Sequence, residues 1–278
     1  LPTIVERKTA LPDQTTASAF TALVNDLTEI LQINLAALMT EDSPEPVHKA
    51  RVALRRLRAC LTAFEPIIDG DLAEAMQHRA RALFRILGDI RDADVMAIRF
   101  ADTDRTAAFE SEATRQRQKM RKHLKRKKAE TFRPWMLRRL AGKSWRRSGK
   151  KAKALREAPL TDLAIMSLDR AWAACLSNGL DLRVMSARAQ HELRKDLKTF
   201  RYLTEFFADL WPGKAQKDFL RALRSMQDDL GELTDSALAQ SLGHIDKAET
   251  NTPEEQTAKA WEVLAAQGPW WHPVQGSA

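Results

Sequence analysis

Glycine and proline are scarce in this chain of 278 residues, at 10 and 11, and aromatic side chains make up only 6%. So few turn-formers leave no room for the many hairpins of a β-sandwich or barrel, and no window alternates apolar and polar residues as strands require. No apolar run approaches the roughly 18 residues of a membrane-spanning helix, and the first residues lack the basic-then-apolar layout of a signal peptide. The two cysteines, Cys60 and Cys175, have no CxxC spacing and fall within helical patterns. They read as core thiols in a reducing compartment, so a cytoplasmic protein is expected. Nor is there a nucleophile motif, a phosphate-binding Gly-rich loop or a cofactor fingerprint. His78, His123, His244 and His272 do not form a ligand set, so no metal and no cofactor is expected.

What remains is rich in leucine, alanine and charge. Apolar residues make up 44% and charged residues 29%, a balance that buries a core and argues against disorder. Apolar positions Phe20, Leu23, Leu27, Ile30, Leu31 and Leu38 recur at helical spacing. They predict a helix over 16–39, after a linker-like 1–15 that allows for another domain upstream. Further helices are predicted near 47–68, 72–100, 106–130, 160–178, 186–211, 215–242 and 253–267. The tail GPWWHPVQGSA offers tryptophans that can dock on the bundle.

The chain repeats itself at a shift of 143 residues. His48 falls on His191, Arg51 on Arg194, Leu54 on Leu197, Arg58 on Arg201, Phe64 on Phe207, Gly70 on Gly213 and Arg81 on Arg224. Leu87-Gly88 falls on Leu230-Gly231 and Asp92 on Asp235, while Arg55 to Lys198 keeps its charge. Identities gathered at charged and glycine positions suggest an old duplication. The expected fold is all-α, with four-helix bundles over 16–155 and 156–278 about a pseudo-two-fold axis.

His48, Arg51, Arg55 and Arg58 stand at i, i+3, i+7 and i+10, which places them on one stripe about 15 Å long. The apolar row Ala50, Leu54, Leu57, Leu61 and Phe64 forms a neighbouring stripe, so the positive row borders the core. His191, Arg194, Lys198 and Arg201 repeat the arrangement beside Leu193, Leu197, Phe200 and Phe207. A solvated helix face is the plain explanation of such a charge run. Against it, Glu192, Lys195, Asp196 and Thr199 have drifted to mixed charge or neutrality while the stripe stays positive. Like charges at helical spacing repel, and the formal charge of the whole chain is +8. Two such stripes call for a polyanion.

The blocks VHKARVALRRLRACLTAF with LGDIRDADV, then HELRKDLKTFRYLTEFF with MQDDLGELTDSAL, resemble the CHAD family, the conserved histidine α-helical domains. The resemblance extends from about residue 16 over nearly all of the chain. It implies two four-helix bundles with a basic channel that binds inorganic polyphosphate without catalysis, for recruitment, storage or sensing. His48, Arg51, Arg55, Arg58, His191, Arg194, Lys198 and Arg201 fall on the family's basic positions. Some members follow a CYTH-type phosphohydrolase domain as its accessory, and others associate with polyhydroxyalkanoate granules. Thr199, where the first helix has Arg56, departs from the pattern but lies off the stripe. The chemistry agrees with the resemblance: arginine forks grip phosphate oxygens, lysine adds a point charge and histidine a pH-dependent donor. No aromatics interleave with the stripes, which argues against single-stranded nucleic acid.

Other features keep alternatives open. KMRKHLKRKK, at 119–128, distributes charge all round a helix; Arg115, Lys119 and Lys122 share one face and can extend the groove, or the whole run can be solvated. KSWRRSGKK, at 143–151, reads as a loop that reaches a phosphate chain or simply faces water. Asp92 and Asp235 invite a metal-dependent polyphosphate or triphosphate hydrolase reading, although aspartates beside an internal Leu-Gly also suit positioning a basic side chain. A third reading is an interaction module for nucleic acid, an acidic protein or a granule surface.

Overall fold

Helix follows helix through the computed structural model of the chain, which describes residues 14–101, 105–241 and 254–272. Among these residues there is no strand, only isolated antiparallel bridges at Thr15–Pro159 and Ile68–Arg146. The expected linker lies almost wholly outside the described residues. No described helix is long and apolar enough to cross a membrane. Two compact units divide at the Pro159–Leu160 junction.

In the first unit, α1 (Thr16–Thr40) starts where the Thr15 hydroxyl accepts the Ser18 N–H. This cap satisfies a donor that the first turn leaves without an intrahelical partner. α2 (Glu45–Ala63) tolerates Pro46 because a first-turn residue needs no N–H donor. α1 and α2 pack along their lengths and bury Phe20, Leu23, Leu54, Leu57 and Phe64 completely. Trp145, read from sequence only as part of a basic loop, is a core plug. Its ring lies 5.3 Å from that of Phe20, and only 2% of the residue is exposed. Beside it Arg147 bonds the Ile68 carbonyl and the Glu65 carboxylate, so this segment of the loop is tied to the bundle.

The single helix predicted over 72–100 is instead two, α3 (Gly70–Ile86) and α4 (Gly88–Arg99). Leu87, with φ −88° and ψ 2°, ends α3 and is wholly buried. A glycine in a helix interior costs about 1 kcal/mol relative to alanine, so the ladder is weakest there. α5 (Thr106–Arg126) packs on α4, and the short α6 (Phe132–Ala141) and α7 (Lys150–Glu157) pack on α1.

Between α4 and α5 lies a buried ion pair. Arg117 Nη2 donates to Asp94 Oδ1 at 2.7 Å, with side-chain exposures of 7% and 3%. Burial raises the Asp94 pKa, and the Arg117 charge opposes that shift. Asp94→Ala leaves a guanidinium buried without its counter-charge. It should destabilise the protein by about 3 kcal/mol or more, read from the urea midpoint at unchanged m-value.

In the second unit, α8 (Leu160–Ser177), α9 (Ala187–Phe206), α10 (Lys214–Ser241) and α11 (Glu254–Ala266) enclose an aromatic core. Trp172 touches Phe200, Phe219 and Trp261 at centroid distances of 5.0, 5.6 and 5.9 Å. The tail docks as expected: Trp271 is fully buried, and its indole N–H donates to Asp169 at 2.8 Å.

The two units share local design at the 143-residue shift. α2 ends on buried Phe64 and passes into a 3-10 turn at Glu65–Ile67; α9 ends on buried Phe207 and passes into one at Ala208–Leu210. They differ at the Leu-Gly step, which breaks α3 from α4 but lies within continuous helix in α10.

Candidate anion-binding site

α2 presents its stripe toward α3 and α4. Arg51 is only 9% exposed. Its Nη1 donates to the Phe84 carbonyl at 3.2 Å, and its guanidinium stacks 4.0 Å from the centre of the Phe84 ring. Arg55 shares that ring at 5.2 Å. One aromatic of α3 thus seats two arginines of α2, each held by a cation–π contact. Gly88 of α4 lies beside this guanidinium: a Cβ there would meet Arg51 Nη1 at 3.8 Å, in ordinary contact, whereas a long side chain would compete for the guanidinium's place.

Burial is the largest electrostatic influence on this row, and crowding of like charge adds to it. Burial, then Arg55 and Arg91, push the Arg51 pKa down to about 10, although Asp92 pulls the other way. Burial together with Arg81 and Arg55 lowers that of Arg58, whose buried Nε has no hydrogen-bond partner among the described residues. His48, at the exposed end of the row, is lowered by partial desolvation and then by Arg91, with Arg55 and Arg51 adding to the effect. Asp92 is raised by desolvation, against the pull of Arg51. The pull of Arg51, Arg91 and Arg55 on its carboxyl places it beside these guanidiniums.

The second unit builds a related row on α9. His191 is exposed, and Arg194, Lys198 and Arg201 are half-buried. Here too the arginine at the i+3 position meets a glycine: a Cβ on Gly231 would lie 3.5 Å from Arg194 Nη2. The Arg51–Gly88 and Arg194–Gly231 contacts are counterparts at the 143-residue shift. Two acids of α9 have partners off the stripe: Glu192 pairs with Lys195 at 2.6 Å, and Asp196 accepts from Asn178 at 2.8 Å. Glu205 lies 3.3 Å from Arg201 Nε. Thr199 turns its hydroxyl back to the Lys195 carbonyl. Where α3 offers Phe84, α10 has Gln227, whose amide donates to the Leu197 carbonyl. The side chain of Asp235 lies outside the described residues.

Sequence reasoning missed Phe84, Arg81 and Arg91 as members of the first site. Only Arg81 left a trace, through its identity with Arg224 across the repeat. Of the suggested extension, Arg115 is exposed and bonded to Glu112, Lys119 lies 4.0 Å from Asp89, and Lys122 is exposed. Among the described residues, no group of three or more His, Cys, Asp or Glu side chains could hold a metal ion.

The CHAD domain profile matches residues 22–244. The chain belongs to the CHAD family. A crystal structure of the CHAD domain from the plant Ricinus communis superposes with a TM-score of 0.69 at 23% identity, covering 94% of this chain and 89% of that one. PptA from Streptomyces chartreusis aligns at 18% identity and a TM-score of 0.49, over 91% of this chain and 93% of its own. No curated protein sequence matches. Within this CHAD domain, Arg51 and Arg194 stand at repeat-equivalent places, each beside a glycine.

Proposed function

We propose that this CHAD domain binds inorganic polyphosphate through His48, Arg51, Arg55 and Arg58 of α2 and His191, Arg194, Lys198 and Arg201 of α9, without catalysing its breakdown. The observation that carries the reading is the seating of Arg51 and Arg55 over one ring, that of Phe84, at 4.0 and 5.2 Å, with Arg51 almost fully buried; burial, with Arg55 and Arg91 adding to it, lowers the Arg51 pKa to about 10. Asp92 offsets part of this charge, and a bound polyanion would offset the rest. A linear phosphate chain offers repeated charge and many acceptor oxygens for arginine forks. Recruitment, storage or sensing are the uses that follow, alone or beside an attached CYTH-type enzyme domain.

Calorimetric titration with polyphosphates of defined length tests the proposal: saturable binding is expected, with no phosphate release when Mg²⁺ or Mn²⁺ is added. Duplex DNA should fail to displace the bound chain. Displacement by DNA would favour a nucleic-acid module instead, and metal-stimulated release would favour a hydrolase acting through Asp92 and Asp235.

His48 adds a pH dependence of definite sign. Its folded-state pKa lies below the ordinary 6.5, so the unfolded chain takes up the proton first. Folding stability from this group is present above pH 6.5 and falls as the pH drops through it. A bound polyanion acts oppositely by favouring imidazolium. Polyphosphate binding should therefore take up protons and tighten between about pH 7 and 6, and His48→Gln should remove part of the gain. Proton uptake is read from binding heats in buffers of different ionisation enthalpy; heats independent of buffer would exclude this role.

A further inference from the structure

A second basic cavity lies within the first unit, on the side of α3 and α4 that faces α5. It has a volume of about 770 Å³, within the range of roughly 300–1,000 Å³ common for small-molecule sites. Its floor is hydrocarbon: Leu83, Ile90, Met120 and Phe132 are buried there, with Ile86 half-buried. The rim is cationic on both sides. α3 contributes His78, Arg79 and Arg85, and α5 contributes Lys119 and His123. The turn after α5 closes one end with Lys127 and Lys128. Asp89 is the single acid in the lining.

Two details suggest a shaped site. Arg79 is stacked on the Trp135 ring at 4.0 Å, which limits its freedom. Lys128 has φ +49°, the one positive-φ residue other than glycine among those described. Such backbone costs of order 1 kcal/mol for a side-chain-bearing residue and gathers at functional sites.

We infer that this groove binds a small organic phosphate with an apolar or aromatic body, nucleotide-like in chemistry, by resting the body on the Leu83–Ile86–Phe132 floor and its phosphates on the basic rim. Inorganic polyphosphate has no apolar surface to match such a floor. Burying a ligand face there gains about 25 cal/mol per Å², while the rim supplies charge-assisted hydrogen bonds. The groove thus selects for the organic body, which the stripe on α2 does not require.

The test uses the full chain with ATP and inorganic tripolyphosphate as probes, followed by calorimetry. ATP should bind at least tenfold more tightly than tripolyphosphate to an Arg51→Ala/Arg194→Ala variant, in which the stripes are weakened. Arg85→Glu/Lys127→Glu, at exposed positions on α3 and in the turn after α5, should weaken ATP at least tenfold and leave long-chain polyphosphate affinity within about twofold. Ala82→Trp, which fills the groove, should abolish ATP binding while the circular-dichroism spectrum is kept. Equal affinity for ATP and tripolyphosphate, or ATP binding that survives Ala82→Trp, would overturn the inference. Loss of ATP binding in Arg51→Ala/Arg194→Ala would also overturn it, by assigning ATP to the stripes. These outcomes are separate from the polyphosphate proposal, which stands or falls on the long-chain titration.

Discussion

Replacing Arg51 and Arg194 together by alanine should lower affinity for long-chain polyphosphate by about 100-fold or more, with helix content preserved. A hydrogen bond to a charged group contributes roughly 1.5–3 kcal/mol, so two arginines account for about 3–6 kcal/mol, and each 1.4 kcal/mol is tenfold. Arg51 also bonds the Phe84 carbonyl, so some folding stability is lost as well, about 1 kcal/mol. Circular dichroism and a urea melt separate that loss from the change in binding. Arg51→Lys is the informative companion. It keeps the charge but loses the planar stack on Phe84, and should recover less than half of the lost binding energy. Wild-type affinity in the double alanine variant would remove these arginines from the site.

Salt should weaken the complex nearly as strongly. The stripes hold six permanent cations: Arg51, Arg55, Arg58, Arg194, Lys198 and Arg201. If each displaces one condensed counterion from a flexible single-stranded polyanion, the log–log slope of affinity against salt is about −4. Raising monovalent salt from about 50 to 200 mM then costs 10²- to 10³-fold. Each stripe alanine should flatten the slope by roughly 0.7. An affinity unchanged over that range would mean that hydrogen bonding to neutral groups, and not charge, holds the ligand. The partial burial of Arg51 makes its own contribution less sensitive than that of the exposed cations, because buried pairs are screened less.

Much of this arrangement could be read before any coordinates. Helical spacing alone sets the angle between Arg51, Arg55 and Arg58 and the row Leu54, Leu57 and Leu61, and those leucines are indeed buried. The tail tryptophan was expected to dock, and it does. The break at Leu87 was not visible, because the apolar pattern runs through it and a glycine is compatible with helix on either side, as α10 demonstrates. Phe84, Arg81 and Arg91 escaped for a different reason. Periodicity orders residues round one helix but does not say which side of the next helix will face it. Arg117 was hidden in a run of cations, although its phase with Ala113, Met120 and Leu124 puts it on the buried face of α5. Trp145 had only its residue type to suggest burial, since loop positions carry no period.

The ring of Phe84 lies beneath Arg51 and Arg55, where α10 has the Gln227 amide at the equivalent place. A guanidinium already stacked and bonded has surrendered most of its rotamer freedom before ligand arrives. Association with the α2 row should therefore be opposed by little lost disorder. In isothermal calorimetry, Phe84→Leu should make the measured entropy of polyphosphate binding more unfavourable even where the overall affinity changes little.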